Sequence, residues 1–499
     1  MSLIFILLGI PLFFFLLLKQ RSNGSNTNLL PPGPPGLPLI GNLHQFIKSA
    51  PHLYLWQLSQ KYGPLMSLKL GYRPTLIVSS ANMAKELLKT HDLDFCSRPQ
   101  LLSLQKLSYN RLDVSFSPYN AYWREIRKIC VIHLFNSKMA ELYRPIREDE
   151  VSQLIEKILK SSAASKPINL SQVTECLTSA FICRIAFGKR YEHEGAEISR
   201  FHEFHAQLEA MFVSFFVTDY FPSMGWMDRI TGMTYSLEKV FKEMDAFLQQ
   251  LIDDHLDPKR QKPKREDIID VLLRIMNDAE STFDFSYDNI KAVLMDVFIA
   301  GTDTSAATVI WGMTLLMKHP TAMKKAQDEV RNLVGKKGFV NEDDIKDLPY
   351  LKAIVKETFR LQSTTPLLLP RETIRDCNIS GYKIPAKTLV YVNAWAIGRD
   401  IEAWGQNVEE FCPERFIGSS IDYKGQDFGL IPFGSGRRIC PGLHMGVATI
   451  ELVLSNLLYR FDWEIPCGMK KEDLDFDSAP GIVMHKRKAL CLLPKEYKY

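Results

Sequence analysis

The stretch that decides the fold of this chain runs from residue 432 to residue 442: Pro432-Phe433-Gly434-Ser435-Gly436-Arg437-Arg438-Ile439-Cys440-Pro441-Gly442. Its single cysteine, Cys440, follows a glycine-rich loop and has no partner cysteine near it in the sequence. Gly434 and Gly436 allow the backbone to take positive φ angles, and such a bend can turn several N–H groups toward the sulfur. A helix that begins just after Cys440 would add unpaired N–H groups and a dipole that favour the thiolate over the thiol. The loop therefore predicts a cysteine held as a thiolate.

A thiolate of this kind suggests one chemistry, and three other interpretations compete with it. Arg437 and Arg438 supply positive charge that suits a thiolate or neighbouring carboxylates. A cysteine thiolate as axial ligand pushes electron density into haem iron and favours cleavage of the O–O bond. A zinc site would need three or four ligands, and His444 is the only other close candidate. A dinucleotide-binding loop would need glycine where Ile439 stands. A buried, inert cysteine is the remaining alternative, since free cysteines are commonly buried.

The spacing Phe433-x-x-Gly436-x-Arg438-x-Cys440-x-Gly442 resembles the haem-binding signature of the cytochromes P450. The resemblance implies the cytochrome P450 fold, which is mainly α with a small β-rich subdomain, here preceded by one N-terminal transmembrane helix. It also implies heme b as the cofactor, with Cys440 as the axial thiolate ligand of the iron. The other residues of the loop that it places against the haem are Phe433, Gly434, Gly436, Arg438 and Gly442.

Length and composition fit a globular chain with a sizeable core. The 499 residues are 46 % hydrophobic and 24 % charged, which suits one large domain or two smaller ones. The net charge is +4 and basic residues are scattered among acidic ones, so nothing indicates a nucleic-acid surface. The nine cysteines are odd in number and widely spaced, which favours free thiols in a reducing compartment over a disulfide framework.

The N-terminus carries an uncharged, mostly apolar run from Leu3 to Leu18, followed at once by Lys19 and Arg21. The run is slightly short for a membrane span, but a thin bilayer can be crossed when flanking residues snorkel. A cleaved signal peptide is the weaker alternative, because no basic residue precedes the run and no small-x-small cleavage site follows it. The basic residues after the run place the rest of the chain in the cytosol. We therefore expect a single-pass anchor in the endoplasmic reticulum membrane, with the catalytic domain facing the cytosol.

A connector follows the anchor. It is polar from residue 20 to residue 28 and proline-rich from Pro31 to Pro38. Proline fixes φ and removes N–H donors, so this segment is expected to be a stiff, extended spacer, with a PxxP ligand as the alternative. By resemblance to microsomal P450s, such a hinge sets the catalytic domain against the membrane. The predicted domains are the anchor (1–18), the polar linker with the proline-rich hinge (19–38) and the haem-thiolate catalytic domain (39–499).

Beyond the hinge the pattern is mainly helical. Long helical stretches are predicted within 120–160, 200–255, 286–317 and 350–362, and strand-like pieces near 66–78 and 378–392.

One long helix is predicted from Ser286 to Met317, with Ser286 as its cap. Its middle, residues 300–305, reads Ala-Gly-Thr-Asp-Thr-Ser and places small and polar residues inside an apolar run. A kink or a polar helix–helix contact is the plain alternative. The residues resemble the P450 motif (Ala/Gly)-Gly-x-(Asp/Glu)-Thr. That motif implies that Ala300 lies beside the haem and that Thr304 and Asp303 are catalytic, supplying protons for O–O cleavage.

Two further sets of charged residues fit the same resemblance. Glu357 and Arg360 lie one helical turn apart, a pair that is common and weak by itself. The resemblance joins them to Arg415, within Pro-Glu-Arg-Phe, in a buried structural network on the proximal side of the haem.

Trp123 and Arg127 share a helix face at i,i+4, and arginine forks pair well with carboxylates such as the haem propionates. An ordinary amphipathic helix face is the alternative. The resemblance implies that Trp123, Arg127, Arg371 and Arg438 hold the haem. Basic residues here, together with Arg437, are also a candidate docking patch for an acidic reductase, although a charge run is usually only a solvated face.

The resemblance covers nearly the whole chain and implies a membrane-anchored haem-thiolate monooxygenase. Such an enzyme inserts one atom of O2 into a small lipophilic substrate, with NADPH electrons delivered by NADPH-cytochrome P450 reductase. Cytochrome b5 is a candidate second donor, and membrane lipid is a further expected contact. Two alternatives stay open: a reductase-independent haem-thiolate isomerase or dehydratase, and a haem-binding protein without catalysis. The Asp303–Thr304 pair argues for the monooxygenase.

The substrate class follows from a finer resemblance. Residues 216–228 and 393–400 resemble plant P450s of specialised metabolism, which implies a terpenoid, alkaloid, phenylpropanoid or aldoxime substrate. Residues 362–365, Gln-Ser-Thr-Thr, depart from the usual His-Pro-Pro of that group and offer hydroxyls to the substrate. The stretches predicted to line the pocket are 101–116, 205–216, 297–300, 364–369 and 479–483.

Overall fold

The computed structural model describes residues 30–46, 50–190, 196–261, 265–278 and 283–498, and for residues 196–203 the backbone alone. The predicted anchor (1–18) and the first part of the linker (19–29) lie outside these residues. The proline-rich hinge lies along strand β1 (Leu65–Leu70), because Pro32 accepts a hydrogen bond from the N–H of Ser67 at 3.0 Å. Gly33 is packed so closely there that a Cβ would lie 1.9 Å from the carbonyl oxygen of Ser67.

Helices make up most of the described chain, and many begin at a polar cap. The side chains of Ser80, Asn120, Asn136 and Ser286 each accept a backbone N–H from the first turn of the helix that follows, which satisfies a donor that the helix leaves unpaired. In chain order the helices are α1 (Leu43–Phe46), α2 (Pro51–Tyr62), α3 (Ala81–Lys85), α4 (Asp92–Phe95), α5 (Leu102–Leu107), α6 (Ala121–Ile129), α7 (Ser137–Leu142), α8 (Arg144–Ala163), α9 (Leu170–Phe187), α10 (Ala196–Phe212), α11 (Val217–Tyr220), α12 (Trp226–Ile230), α13 (Met233–Leu256), α14 (Ile268–Met276), α15 (Tyr287–Lys318), α16 (Pro320–Val334), α17 (Glu342–Ile345), α18 (Pro349–Leu361), α19 (Ala394–Ile397), α20 (Ile401–Trp404) and α21 (Leu443–Arg460).

The strands form small sheets beside the helices. One sheet has the order β1-β2-β7-β4, in which β2 and β7 run parallel and the other pairs run antiparallel. A second sheet has the order β3-β9-β8, and β5 and β6 form a hairpin. The remaining strands are β2 (Arg73–Val78), β3 (Ile168–Asn169), β4 (Arg371–Glu372), β5 (Cys377–Ile379), β6 (Tyr382–Ile384), β7 (Leu389–Val392), β8 (Phe461–Glu464) and β9 (Cys491–Glu496).

Helix α15 runs through the core. A capping box closes its start, since Ser286 and Asn289 each accept the other's backbone N–H. Among the described residues it is the one helix long and apolar enough to cross a membrane, and 72 % of that apolar window is buried inside the protein, as expected of a core helix. Gly301 lets α9 pack closely against it, because a Cβ there would lie 2.4 Å from Cδ1 of Ile182.

The prediction of a mainly α fold with a small β-rich part is confirmed. The stretches 286–317 and 350–362 correspond to α15 and α18, whereas 120–160 and 200–255 are each divided among several helices. The pattern did not predict α9, whose residues are buried on most sides and therefore show little amphipathic periodicity. It also did not predict β8 and β9, which pair only with each other and with the two-residue strand β3.

Candidate active site

A cavity of about 310 Å³ lies between α15 and the loop that precedes α21. Helix α15 lines it with Ala300, Gly301, Thr304, Ser305 and Thr308, and the cysteine loop lines it with Phe433, Gly434, Cys440 and Gly442. Two segments far apart in the chain therefore meet at one enclosed space.

The conformation of the cysteine loop depends on its glycines. Gly434 and Gly436 have φ angles of 70° and 71°, in the left-handed region that favours glycine. A Cβ on Gly436 would lie 2.6 Å from the carbonyl oxygen of Leu88 and 2.7 Å from Oδ1 of Asp92. The Cys440 N–H donates to the carbonyl of Phe433 at 2.9 Å, and α21 begins shortly afterwards, with Gly442 as its cap residue. The bend and the helix start expected after Cys440 are therefore present.

The groups around Cys440 shift the pKa of its thiol in opposite directions. Burial raises the pKa of its thiol above the ordinary value, although the N–H of Gly442 and the charge of Arg127 act to lower that pKa. Cys130 also lines the cavity, and burial followed by the Asp296 carboxylate raises its pKa far above the usual range. Cys440 is thus the lining cysteine whose pKa a neighbouring backbone N–H acts to lower, whereas Cys130 fits an inert buried thiol.

Four buried or half-buried arginines line the same cavity. Arg98 donates to the carbonyls of Ser115, Leu369 and Pro370, and Arg438 donates to those of Cys96, Val114 and Ser117. Arg127 donates to the carbonyl of Ile439 at 2.6 Å, and Arg371 donates to that of Ser435 at 3.1 Å. These bonds fix the guanidinium groups without neutralising them. The arginines that line the cavity are Arg98, Arg127, Arg371 and Arg438.

The charges of these arginines are only partly balanced. Burial and the neighbouring charge of Arg371 lower the pKa of Arg438 to about 9, and burial lowers the pKa values of Arg98 and Arg371. Asp113 faces Arg438 and Arg98, but burial and the neighbouring Asp296 raise its pKa well above the usual range, which favours its neutral form. Several confined cations beside one cavity are the surroundings that an anionic group requires.

Two residues predicted at the cofactor do not line the cavity. Trp123 donates its indole N–H to the carbonyl of Val114 at 3.0 Å, and the guanidinium of Arg438 lies 4.0 Å from the centre of its ring. It therefore supports an arginine of the lining. Gly436 faces Leu88 and Asp92, and it sets the conformation of the loop without lining the cavity. The predicted residues that do line the cavity are Arg127, Ala300, Arg371, Phe433, Gly434, Arg438, Cys440 and Gly442.

The polar centre of α15 divides between two sides of the helix. Thr304 lines the cavity and donates its hydroxyl to the carbonyl of Ala300 at 2.8 Å. Asp303 is buried, is not among the residues that line the cavity, and has Oδ2 3.3 Å from Nε2 of His205. The structure thus brings Thr304 to the cavity and places Asp303 beside α10.

The rest of the cavity is mainly apolar, and every predicted pocket stretch contributes to it. Phe116 and Phe212 stack with their ring centres 5.8 Å apart. Thr364 and Thr365, from the unusual turn after α18, also line the cavity. Sequence reasoning missed Arg98 and the contribution of α9, which is Thr178, Phe181 and Ile182. The Arg98-Pro99 pair after a short helix is a weak signal, and no signal in the α9 sequence points to a pocket.

The predicted network on α18 is present. Arg360 donates to both carboxylate oxygens of Glu357, at 2.6 and 2.7 Å, and Arg415 donates to the same carboxylate at 3.1 Å. Arg360 also donates to the carbonyls of Gly398, Val408 and Glu410. Because Glu357 and Arg360 are fully buried, this network ties α18 to the segment that leads toward the cysteine loop.

The sequence profile of the family described as Cytochrome P450 matches residues 31–493. The chain belongs to the cytochrome P450 family. Its curated relatives include the 6,7,8-trihydroxycoumarin synthase of Pastinaca sativa, which is 48 % identical over 99 % of this chain and 99 % of that protein. The strychnine-11-hydroxylase of Strychnos nux-vomica is 45 % identical over 96 % of this chain and 94 % of that protein. Cytochrome P450 71A1 of Persea americana is 48 % identical over 92 % and 91 %.

Solved structures show the same fold. A zebra fish cytochrome P450 with abiraterone superposes on this P450 with a TM-score of 0.76 at 24 % identity, covering 91 % of this chain and all (100 %) of that one. The protein is therefore a P450 enzyme, and its family's cofactor is haem with a cysteine thiolate on the iron. The cavity fits that cofactor, since it combines a cysteine just before the start of α21 with several arginines suited to the two propionates.

Proposed function

We propose that this P450 is a monooxygenase that oxidises a small lipophilic plant specialised metabolite with O2 and electrons from NADPH. The observation that carries the proposal is the lining of one cavity, where Cys440 and buried arginines meet Ala300 and Thr304 of α15. An isomerase, a dehydratase or a non-catalytic haem-binding protein does not require a hydroxyl and an acid at the middle of that helix.

The residues that hold the cofactor follow from the lining. Cys440 is the proposed axial ligand, and Arg98, Arg127, Arg371 and Arg438 are the proposed partners of the propionates, with Trp123 supporting Arg438. When bound, haem supplies the activation of O2. The protein supplies an enclosed, largely apolar space in which a lipophilic substrate is desolvated and held near the cofactor.

Thr304 and Asp303 are the proposed proton donors. The Thr304 hydroxyl donates to the Ala300 carbonyl, and a rotation about χ1 would present it to the cavity instead. Burial and the neighbouring Glu209 raise the pKa of Asp303 well above the usual range, which favours the protonated form of its carboxyl. The pair thus combines a hydroxyl at the cavity with an adjacent acid that still has a proton to give.

The substrate class rests on relatives and on the lining. The relatives carry the names of coumarin and strychnine oxidising enzymes, so aromatic phenylpropanoids such as coumarins, and alkaloids, are the first candidates. The stacked Phe116 and Phe212 suit a flat aromatic substrate. Thr364 and Thr365 offer hydroxyls to its oxygen substituents.

The expected partners and location are those of a microsomal P450. Residues 1–18 are the proposed single-pass anchor in the endoplasmic reticulum membrane, residues 19–38 the linker and hinge, and residues 39–499 the cytosolic catalytic domain. NADPH-cytochrome P450 reductase is the proposed electron donor, with cytochrome b5 as a second one.

The carbon monoxide difference spectrum of the reduced protein tests the proposal first. We expect the wild type to show a strongly red-shifted Soret band that Cys440→Ser loses. Cys130→Ser, which alters the other cysteine of the lining, should keep that band. A wild type without it, despite folded protein and supplied haem, would refute thiolate ligation.

Turnover is then measured with 6,7-dihydroxycoumarin, xanthotoxin and strychnine, with and without NADPH and purified reductase. Oxygenated product that requires both NADPH and reductase supports the monooxygenase. Product formed without NADPH would instead indicate an isomerase or dehydratase.

A further inference from the structure

Asp303 belongs to a cluster of ionisable side chains outside the catalytic motif. His205 and Glu209 lie one turn apart on α10, and Nε2 of His205 is 3.3 Å from Oδ2 of Asp303. One side-chain nitrogen or oxygen atom of each of His205, Glu209 and Asp303 lies within 4.8 Å of those of the other two, and Nε2 of His485 is 3.7 Å from Oε1 of Glu209. Glu175 on α9 contributes a further charge that acts on Glu209, Asp303 and His485. We name these five residues the Glu209 cluster.

The cluster has a defined distribution of protons. Although burial acts to raise it, the neighbouring His485 and Asp303 lower the pKa of Glu209 to about 2. Burial acts to lower the pKa of His485, but its partner Glu209 raises it above the ordinary value. Burial also raises the pKa of Glu175. These shifts favour the proton of the carboxyl pair on Asp303 and the ionised form of Glu209, beside an imidazole whose pKa is raised.

Four side chains of the cluster differ in exposure, from Asp303 as the least exposed to Glu209 as the most exposed. The exposed fractions of the side chains are 6 % for Asp303, 10 % for His205, 23 % for His485 and 31 % for Glu209. Glu209 also lines the cavity. The lining has one other described acidic residue, Asp296, whose carboxylate accepts the N–H groups of Val114 and Ser115. Glu209, the most exposed of these four side chains, thus connects the buried acid of α15 with the cavity and with the partly exposed His485.

The position of His485 is fixed by its turn. Residues 478–486 form a turn closed by the bridge between Ser478 and Lys486. Met484 accepts the indole N–H of Trp311 at 2.7 Å and donates its own N–H to Thr364 at 2.7 Å. The turn is therefore bound both to α15 and to the segment after α18, and it holds the imidazole beside Glu209.

We propose that Glu209 and His485 resupply Asp303 with protons during oxygen activation, which makes them positioning residues for the reaction. The inference rests on the proposed role of Asp303 and Thr304. A proton given up by Asp303 toward Thr304 leaves a carboxylate behind. Glu209 then passes on a proton taken from the His485 imidazolium, and the imidazole regains one from solvent. No electron moves within the cluster, and each electron delivered by NADPH is matched by one proton that comes from water.

Glu209→Gln is the variant that tests the inference, because glutamine keeps the shape of the side chain but cannot be ionised. The full chain is reconstituted with reductase, and the share of consumed NADPH released as hydrogen peroxide is measured without substrate and with xanthotoxin. We expect about a tenfold rise in that share relative to the wild type, with a normal carbon monoxide spectrum. Glu209→Asp should restore much of the wild-type value. The control Glu238→Gln, on α13 at an ion pair with Lys106 of α5, should change nothing.

The pH profile distinguishes proton supply from mere structural support. Because the pKa of His485 is raised by Glu209, the supply is present below that pKa and is lost as the pH rises through it. Glu209→Gln removes the partner, so the loss should move to lower pH. His485→Gln, a change in a turn rather than in a helix, should abolish this dependence, and it provides a second test if Glu209→Gln fails to bind haem.

Three results would overturn the inference in distinguishable ways. If Asp303→Asn and Thr304→Ala raise peroxide release but Glu209→Gln and His485→Gln do not, the resupply route is wrong and the proposed function stands. If none of the four variants changes it, the proposed proton role of Asp303 and Thr304 fails as well. If Glu209→Gln only weakens the spectral binding of 6,7-dihydroxycoumarin, Glu209 is a substrate contact.

Discussion

At the scale of single residues, Gly436 shows why the cysteine loop requires glycine for two separate reasons. Its φ of 71° is costly for any residue with a side chain, and a Cβ would meet both the carbonyl oxygen of Leu88 and the carboxylate of Asp92. Asp92 in turn accepts hydrogen bonds from the backbone and side chain of Arg437. The glycine therefore lets the loop pack against Leu88 and against Asp92, the first residue of α4.

Gly436→Ala should lower the haem content of the purified protein strongly, because the loop must move away from Leu88 and Asp92. Gly418→Ala is a matched control, since Gly418 has a φ of 72° and has no neighbouring atom within 4 Å of the position that a Cβ would take. We expect the control to cost about 1 kcal/mol of unfolding free energy and to keep its haem. Haem-to-protein ratio and thermal unfolding measure both variants. Equal effects in the two variants would contradict the steric part of the explanation.

At the scale of elements, the contact between α9 and α15 depends on the absence of a side chain at residue 301. A Cβ on Gly301 would lie 2.4 Å from Cδ1 and 2.9 Å from Cγ1 of Ile182. Ile182 also lines the cavity, so the glycine sets both the helix separation and the shape of the pocket. In the family motif this glycine is therefore explained by packing rather than by flexibility.

Gly301→Ala should destabilise the protein by roughly 1–2 kcal/mol, because overpacking outweighs the gain in helix propensity. Gly312→Ala on the same helix should stabilise it by up to about 1 kcal/mol, since a Cβ there has ordinary contacts at 3.5 Å. Adding Ile182→Val, which removes Cδ1, should recover part of the loss. Chemical denaturation of the three variants measures these values, and a stabilising Gly301→Ala would contradict the packing explanation.

Arg360→Lys tests the network that ties α18 to the segment from residue 398 to residue 415. Lysine cannot reproduce the forked contact with Glu357 and leaves buried carbonyls without donors, a loss of roughly 3 kcal/mol or more. We expect the haem content to fall sharply, with Arg274→Lys at an exposed ion pair on α14 as the unchanged control. A variant that kept its haem but changed its substrate would refute a structural role.

How much of the site the sequence predicts depends on how its parts are spaced. The cysteine loop and the motif at 300–304 were predicted because each is a short, contiguous stretch whose residues act together. Arg98 and His485 were not, since each stands alone and acquires a partner only when distant elements meet. Glu209 lies in the predicted pocket stretch 205–216, but its contact with His485 was not predicted. Asp303 illustrates the same limit, because helical spacing placed it beside Thr304 but did not show that it contacts α10. Residue type and spacing predict local chemistry, whereas partners across the core depend on the tertiary structure.

At the scale of the whole molecule, Glu451 links stability to pH. It lies on α21, where burial raises the pKa of its carboxyl to about 7, despite the lowering effect of Lys352. In the unfolded chain a glutamate has a pKa of about 4.3. The folded protein therefore binds this proton more tightly, so the stability of the fold declines as the pH rises from about 4.3 to about 7 and stays lower above that range.

Glu451→Gln should raise the thermal midpoint above neutral pH and leave it unchanged at acidic pH, because glutamine has no proton to lose. Glu464→Gln, at an exposed pair with Lys495, is the control and should show the wild-type dependence. The thermal midpoints of the wild type and of both variants are measured across the pH range. A Glu451→Gln variant with the same pH dependence as the wild type would contradict the assignment.

The arginines around the cavity have a consequence for the amount of this enzyme that accumulates in the cell. Four arginines line one cavity, where the charges of Arg371 and Arg127 act to lower the pKa of Arg438, and the carboxylates of a bound haem would relieve this repulsion only in the folded chain. A ligand that binds only the folded state shifts the folding equilibrium by mass action, by about 2.7 kcal/mol when it is present at a hundred times its dissociation constant. Haem scarcity should therefore reduce the number of enzyme molecules and not only their occupancy, because chains that fail to fold are exposed to proteolysis. On this basis the abundance of the protein is itself a measure of the haem available to it during synthesis.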